Sequence, residues 1–129
     1  MFRRFAGSDN RKAFDELFFS QIFNQSLTDK EKSTNGFFLE MIRLAPSASN
    51  KQPWRIVLID NVFHFYLKST PNYNSKLLES DLQRVDMGIA MAHFELALSE
   101  KKVEHSWLVQ NPGLETEELI EYIASCKVK

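Results

Sequence analysis

The 129-residue sequence holds one cysteine, Cys126, only four glycines, and no excess of either charge, with 16 basic against 17 acidic side chains. One thiol cannot close an intrachain disulfide and cannot build a zinc site of the multi-cysteine kind, so a reducing, cytoplasmic setting is expected. The basic residues are scattered, which removes the electrostatic footprint of a nucleic-acid binder. No apolar run approaches the roughly 20 residues that span a bilayer, so no membrane partner is expected. The opening Met1-Phe2-Arg3-Arg4-Phe5 turns polar at once, without the apolar core of a signal peptide. With so few glycines, a phosphate-cradling glycine loop is also missing.

What is present suits a packed core. Hydrophobic residues make up 43% of the chain, including eleven phenylalanines. The length matches one domain spanning 1–129, and no internal repeat or low-complexity tract divides it.

Residues 1–12, with Gly7, Ser8, Asp9 and Asn10 beside four basic residues, read as a loop or frayed end. Phe14 to Gln21 is apolar enough to dock but has no clear period. Ser26 to Asn35 reads as polar and turn-rich, with Asp29-Lys30-Glu31-Lys32 a solvated turn. A short helix is expected from about Gly36 to Leu44, capped by Thr34 or Asn35 and ended by Pro46. Trp54 to Ile59 and Val62 to Leu67 form the clearest hairpin, turning at Asp60-Asn61. A linker containing Pro71 leads to the longest helix, about Leu82 to Lys101. Val85, Ile89, Ala92 and Leu96 line one apolar face of it, and Met87, Ala90, Met91, Phe94 and Leu98 a second. A helix apolar on two sides wants cover from two sides, so the outer cover is another part of the domain or a partner subunit. Asp86, His93 and Glu100 occupy a polar seam between the faces. A strand around Trp107, a turn at Asn111-Pro112-Gly113, a short helix over Glu115 to Ile120 and a last strand over Glu121 to Val128 complete the chain. The order predicts an α+β fold, mostly antiparallel, with a long central helix.

The most specific local sequence is Ala45-Pro46-Ser47-Ala48-Ser49-Asn50-Lys51-Gln52-Pro53-Trp54. Small side chains at Ser47, Ala48 and Ser49 let a planar ring approach the backbone. Hydroxyls and the amides of Asn50 and Gln52 suit the edge of a heterocycle, and Pro46 and Pro53 stiffen the ends. A rigid connecting loop whose polar groups satisfy only its own turns fits the same residues. Elsewhere the chemistry is sparse. His64, His93 and His105 lack metal-ligand spacing. Cys126 reads as a small buried apolar group rather than a nucleophile. Ser47 and Ser49 stand in no nucleophile elbow.

Arg43 to Arg55 resembles the Pro-Ser-x-x-Asn-x-Gln-Pro-Trp signature of the FMN-dependent nitroreductase family. Asp86-Met87-Gly88-Ile89-Ala90 to Ala97 is similar to the start of that family's long central helix, with its Asp-x-Gly-x-Ala pattern. His93-Phe94-Glu95 and Phe63-His64-Phe65-Tyr66 most resemble the family's TM nitroreductase branch, whose members carry two nitroreductase-like halves in one longer chain. The likeness runs from about Arg11 to Val128 and matches the second half. It implies a partial nitroreductase-like fold and a homodimer joined at the long helix, with FMN between subunits. It also implies hydride transfer from NAD(P)H through the flavin to a nitroaromatic or quinone-like acceptor. Carried over, Pro46, Ser47, Ala48, Ser49 and Asn50 contact the flavin ring, with Gln52 and Trp54 supporting the loop; no side chain is needed as a general acid or base. Two departures stand out. The family's Arg-rich motif for the FMN phosphate has no match, because Arg3 and Arg4 lack the Ser-x-Arg spacing. Lys101-Lys102-Val103-Glu104 replaces the usual Gly-Leu-Gly step. They leave room for a second expectation, a noncatalytic half-domain acting only through self-association or a partner half.

Overall fold

The computed structural model describes residues 10–70 and 76–129, with only the main chain over 76–81. Residues 1–9 of the expected flexible end, and the linker at Pro71, therefore lie outside the described residues. Phe14–Leu17 form a single turn, α1, that runs into strand β1, Phe18–Ser20. Helix α2 spans Asp29–Arg43, and a 3₁₀ turn covers Ala48–Asn50. Strands β2, Trp54–Ile59, and β3, Val62–Lys68, precede the long helix α3, Lys76–Glu100; β4, His105–Leu108, and β5, Ile120–Val128, finish the chain.

The five strands form one sheet in the order β1-β2-β3-β5-β4. Only β1 and β2 run parallel; the other pairs are antiparallel, as the patterning predicts. The β2–β3 hairpin holds the expected register, from Trp54 opposite Leu67 to Ile59 opposite Val62. Asp60 turns it with φ +48°, a conformation that aspartate tolerates better than most residues. Between β3 and β5 the pairing slips, so that Phe65 faces Ala124 while Tyr66 faces Tyr122. The extra residue, Ile123, packs into the core.

Side-chain alternation splits the sheet into two faces. Trp54, Ile56, Leu58, Phe63, Phe65 and Leu67 pack against α2 and α3 in the main core. Phe94 of α3 is its hub, edge-on to Phe63 at 4.9 Å and to Phe65 at 5.4 Å between ring centroids. Such pairs add about 0.5–1.5 kcal/mol beyond burial. The opposite face carries a smaller cluster of Phe19, Val57 and Tyr66, covered by Phe23, Leu114 and Ile120.

Two expectations need correction, and one open segment is settled. Helix α2 starts seven residues before Gly36, at Asp29. Thr28 caps it: Thr28 Oγ1 accepts from Glu31 N at 3.1 Å, and Glu31 Oε1 accepts from Thr28 N at 2.9 Å. This reciprocal capping box is written in the sequence as Thr-x-x-Glu. It converts the supposed solvated turn into the helix's first turn. The polar residues there misled because only Leu39 and Ile42, late in the helix, are fully buried. Glu115 to Ile120 forms no helix. Its only described turn, Ile120 N to Glu117 O at 3.1 Å, leads straight into β5, and Ile120 is already paired with Lys68. Leu114 and Ile120 dock on the sheet instead of building a helical face. Phe14 to Gln21, without clear period, divides into a turn and the strand parallel to β2.

Helix α3 starts at Lys76, six residues before the expected Leu82, and one of its two apolar faces is covered by the chain itself. Met87, Ala90, Phe94 and Leu98 are buried, whereas Val85 and Leu96 are 59% and 68% exposed. No helix among the described residues is long and apolar enough to cross a membrane.

Candidate functional site

The segment between α2 and β2 is shaped by its sequence. Ala45 N still bonds to Ile42 O, and Pro46 prevents a further helical turn. Ser49, Asn50 and Gln52 then adopt φ of +51°, +52° and +48°. A non-glycine residue held there costs on the order of 1–3 kcal/mol, so the surroundings must enforce it.

They do so from behind. The Gln52 side chain is 1% exposed. Its Oε1 accepts from Lys12 N at 2.7 Å, and its Nε2 donates to Asn50 O and Asn50 Oδ1, each at 3.0 Å. Gln52 N donates to Ser47 Oγ at 3.0 Å. Ala48 N is shared by both carboxylate oxygens of Asp86, at 3.0 and 3.1 Å. Arg55 Nη1 grips the loop's exit, donating to Gln52 O at 2.8 Å and Trp54 O at 2.7 Å. Arg11 reaches the entry, donating from Nη2 to Leu44 O at 3.1 Å.

Pro46 and Ser49 are exposed, and Ser47, Ala48 and Asn50 are half-buried; together they form an accessible outer arc. Gln52 lies inside, so it braces the arc and shows no side chain to its outer surface. The loop abuts α3: the residue that holds Ala48 N, Asp86, directly follows exposed Val85.

Periodicity places Asp86 on a polar seam. The structure instead buries it to 2% exposure. Burial raises its carboxyl pKa, and the Ala48 N–H partly offsets this. A lone acid one position from Met87 and four from Ala90, both fully buried, is the signal that could have located it. Arg55 was also missed, since an arginine on a strand reads as solvent-facing until its neighbours are known. Burial is the main cause of its lowered pKa.

The remaining titratable candidates lie elsewhere. Burial pushes the Cys126 thiol up to about 12, which keeps it protonated and unreactive. His64 Nδ1 pairs with Ser125 Oγ at 2.7 Å on the back of the sheet, and burial lowers its pKa. Among the described residues, no group of three or more metal-ligating side chains gathers. Within the loop, Ser47 Oγ accepts from a main-chain amide and meets no histidine in the described contacts. The one carboxylate among the loop's described hydrogen bonds, Asp86, is buried behind it and engaged by Ala48 N.

Residues 6–98 match the family model described as "Putative TM nitroreductase". Among solved structures, a nitroreductase family protein from Clostridium difficile 630 superposes with a TM-score of 0.61 at 15% identity, over 98% of this chain and 83% of that one. A nitroreductase family protein from Clostridium novyi NT gives 0.58 at 15% identity, over 98% and 84%. A nitroreductase-like family protein from Bacillus cereus gives 0.53 at 11% identity, over 99% and 86%. No curated protein matches. The matched segment takes in the braced loop and most of α3, and the chain belongs to the TM nitroreductase family.

Proposed function

We propose that this chain is an FMN-binding oxidoreductase domain that works as a homodimer, with the flavin held between subunits. The observation that carries the reading is the loop's construction. Its main chain is fixed from behind by Gln52, Asp86 and Arg55, while Pro46, Ser47, Ala48, Ser49 and Asn50 are left on the outside. Rigidity of this kind lowers the entropy lost when a planar ring settles on the arc. The arc lies beside the uncovered face of α3, where Val85 and Leu96 wait for cover. A second copy packed there would bring the arc toward its partner's cofactor.

The residues fit the ring of a flavin: small side chains permit close approach, and the hydroxyl and amide groups can meet its polar edge. When bound, the flavin supplies the redox chemistry, accepting hydride from NAD(P)H and reducing a nitroaromatic or quinone-like acceptor. The protein's own part is to hold, orient and exclude water. The single buried thiol accords with a cytoplasmic setting.

Purified protein should be yellow, or turn yellow with added FMN, and should oxidise NAD(P)H in the presence of a quinone. Bulky replacements at Ser47 and Asn50 should abolish the flavin absorption band. Protein that stays colourless in excess FMN would remove the reading. The second reading, a noncatalytic half-domain, draws on Lys101-Lys102-Val103-Glu104 standing where the family's Gly-Leu-Gly step falls, and on the unmatched phosphate motif. It expects a dimer, or a complex with a complementary half, that neither binds flavin nor oxidises NAD(P)H.

A further inference from the structure

The face of the sheet opposite α2 and α3 holds a pocket of about 290 Å³, lined by Phe19, Phe23, Arg55, Lys68, Glu117 and Ile120 among others. Strand alternation places Arg55 here, directly opposite Tyr66 in the ladder. Only 9% of Arg55 is exposed. Its described hydrogen bonds both run from Nη1 to main-chain carbonyls, at 2.7 and 2.8 Å. A guanidinium carries five N–H donors in a fork matched to a carboxylate, and Nη1 supplies only two of them. Glu16 and Glu117 act on Arg55 as charges. Both have other partners: Glu117 pairs with Lys68 at 3.5 Å, and Glu16 Oε1 accepts from Ala13 N at 2.9 Å. Glu115 also lines the pocket, so its three carboxylates outnumber Arg55 and Lys68, but all three glutamates are exposed and the one buried charge, on Arg55, is positive.

Glu16 and Glu117 offset part of the charge of Arg55, but neither is hydrogen-bonded to it among the described contacts, and a bidentate anion on the guanidinium fork would complete the pairing. The rings of Phe19 and Phe23, 5.7 Å apart between centroids, add an aromatic wall. The volume falls near the lower end of small-molecule pockets, which run from roughly 300 to 1,000 Å³, so it suits one ring and not a dinucleotide. We propose that this pocket binds a small aromatic monocarboxylate, its carboxylate on the Arg55 guanidinium and its ring against the wall formed by Phe19 and Phe23. The proposal goes beyond the flavin reading and uses none of the 46–50 arc. It does reach the loop, because Arg55 also holds Gln52 O and Trp54 O.

The test is a ¹⁵N NMR titration of the full chain with benzoate, using benzamide as the uncharged isostere. Benzoate should give saturable shifts at Phe19, Phe23 and Ile120, with a smaller response at Gln52 and Trp54. Benzamide should bind at least about tenfold more weakly. Arg55→Lys, which keeps the charge but loses the fork, should weaken benzoate by about tenfold. Thr116→Trp, at an exposed position of the pocket wall, should block binding while leaving the rest of the spectrum in place. This variant decides the matter if Arg55→Lys fails to fold. Absence of saturation by about 20 mM benzoate, equal binding of benzamide, or undiminished binding to Thr116→Trp would overturn the proposal.

Discussion

Tyr66 lies mid-strand in β3, its ring edge-on to Phe23 at 4.8 Å and to Tyr122 at 5.6 Å. Its hydroxyl is buried and finds no hydrogen-bond partner among the described residues. Burial pushes its pKa up to about 12, with Tyr122 adding a smaller push. An unsatisfied buried hydroxyl costs about 1–3 kcal/mol, so Tyr66→Phe should stabilise the chain by about 1 kcal/mol in urea unfolding; a loss would show a hidden partner. Asp86 argues the other way. Its carboxylate is expensive to bury, yet it satisfies the Ala48 N–H. Asp86→Ala should destabilise by about 1–3 kcal/mol and speed hydrogen exchange at Ala48, while Asp86→Asn, which keeps an acceptor, should leave exchange slow. Equal exchange in both variants would contradict the brace. Neither residue was legible beforehand. Tyr66 looked like any strand aromatic, and Asp86 looked solvated, because burial depends on what the rest of the chain lays over a position.

The C-terminal end of α3 is stitched to the edge strand β4 by one carboxylate. Glu95 accepts from Trp107 Nε1 at 2.8 Å, His105 Nε2 at 2.7 Å and Ser99 Oγ at 2.8 Å. These donors, Trp107 first, hold its pKa down to about 2. His105 Nδ1 faces Val103 O at 2.8 Å, so both ring nitrogens meet acceptors and the imidazolium is favoured. The Val103 carbonyl is the first cause of the raised His105 pKa, with Glu95 adding to it. Glu95 therefore contributes stability above its ordinary 4.5, which fades as pH falls toward about 2. His105 contributes fully below its ordinary 6.5 and loses that share as pH rises through its raised value. The stitch should be strongest between these limits. Measured against His105→Gln, the wild-type urea midpoint should fall between about pH 5.5 and about pH 8.5; His64, whose lowered pKa acts with the opposite sign, is common to both proteins. An unchanged slope in the variant would exclude His105 as its source. Among the elements, the hairpin and α3 were readable because each follows a strong period over many residues. Helix α2 was half-read, since its first two turns bury almost nothing and only the capping box marks them.

At the scale of the whole molecule, α3 leaves Val85 and Leu96 exposed on one face. Gly88 lies exposed on this side, and a Cβ added there would meet nothing within 4 Å. A mid-helix glycine costs about 1 kcal/mol against alanine, and the chain's own packing does not require one. If two copies pack here, Leu96→Glu should give a monomer by sedimentation with the fold intact, and Gly88→Leu should weaken the dimer. A Leu96→Glu protein that still sediments as a dimer would place the interface elsewhere. The amino-acid order alone determined the α+β class, the hairpin, the long helix with two apolar faces and the proline-bracketed loop, because each is a local pattern of period, turn chemistry and small residues. Only the tertiary structure decided that Gln52 and Asp86 face inward as braces, that Arg55 is buried beneath a pocket, and that 115–120 forgoes a helix. Those outcomes depend on which distant segments share a sheet face, and no local pattern carries that information.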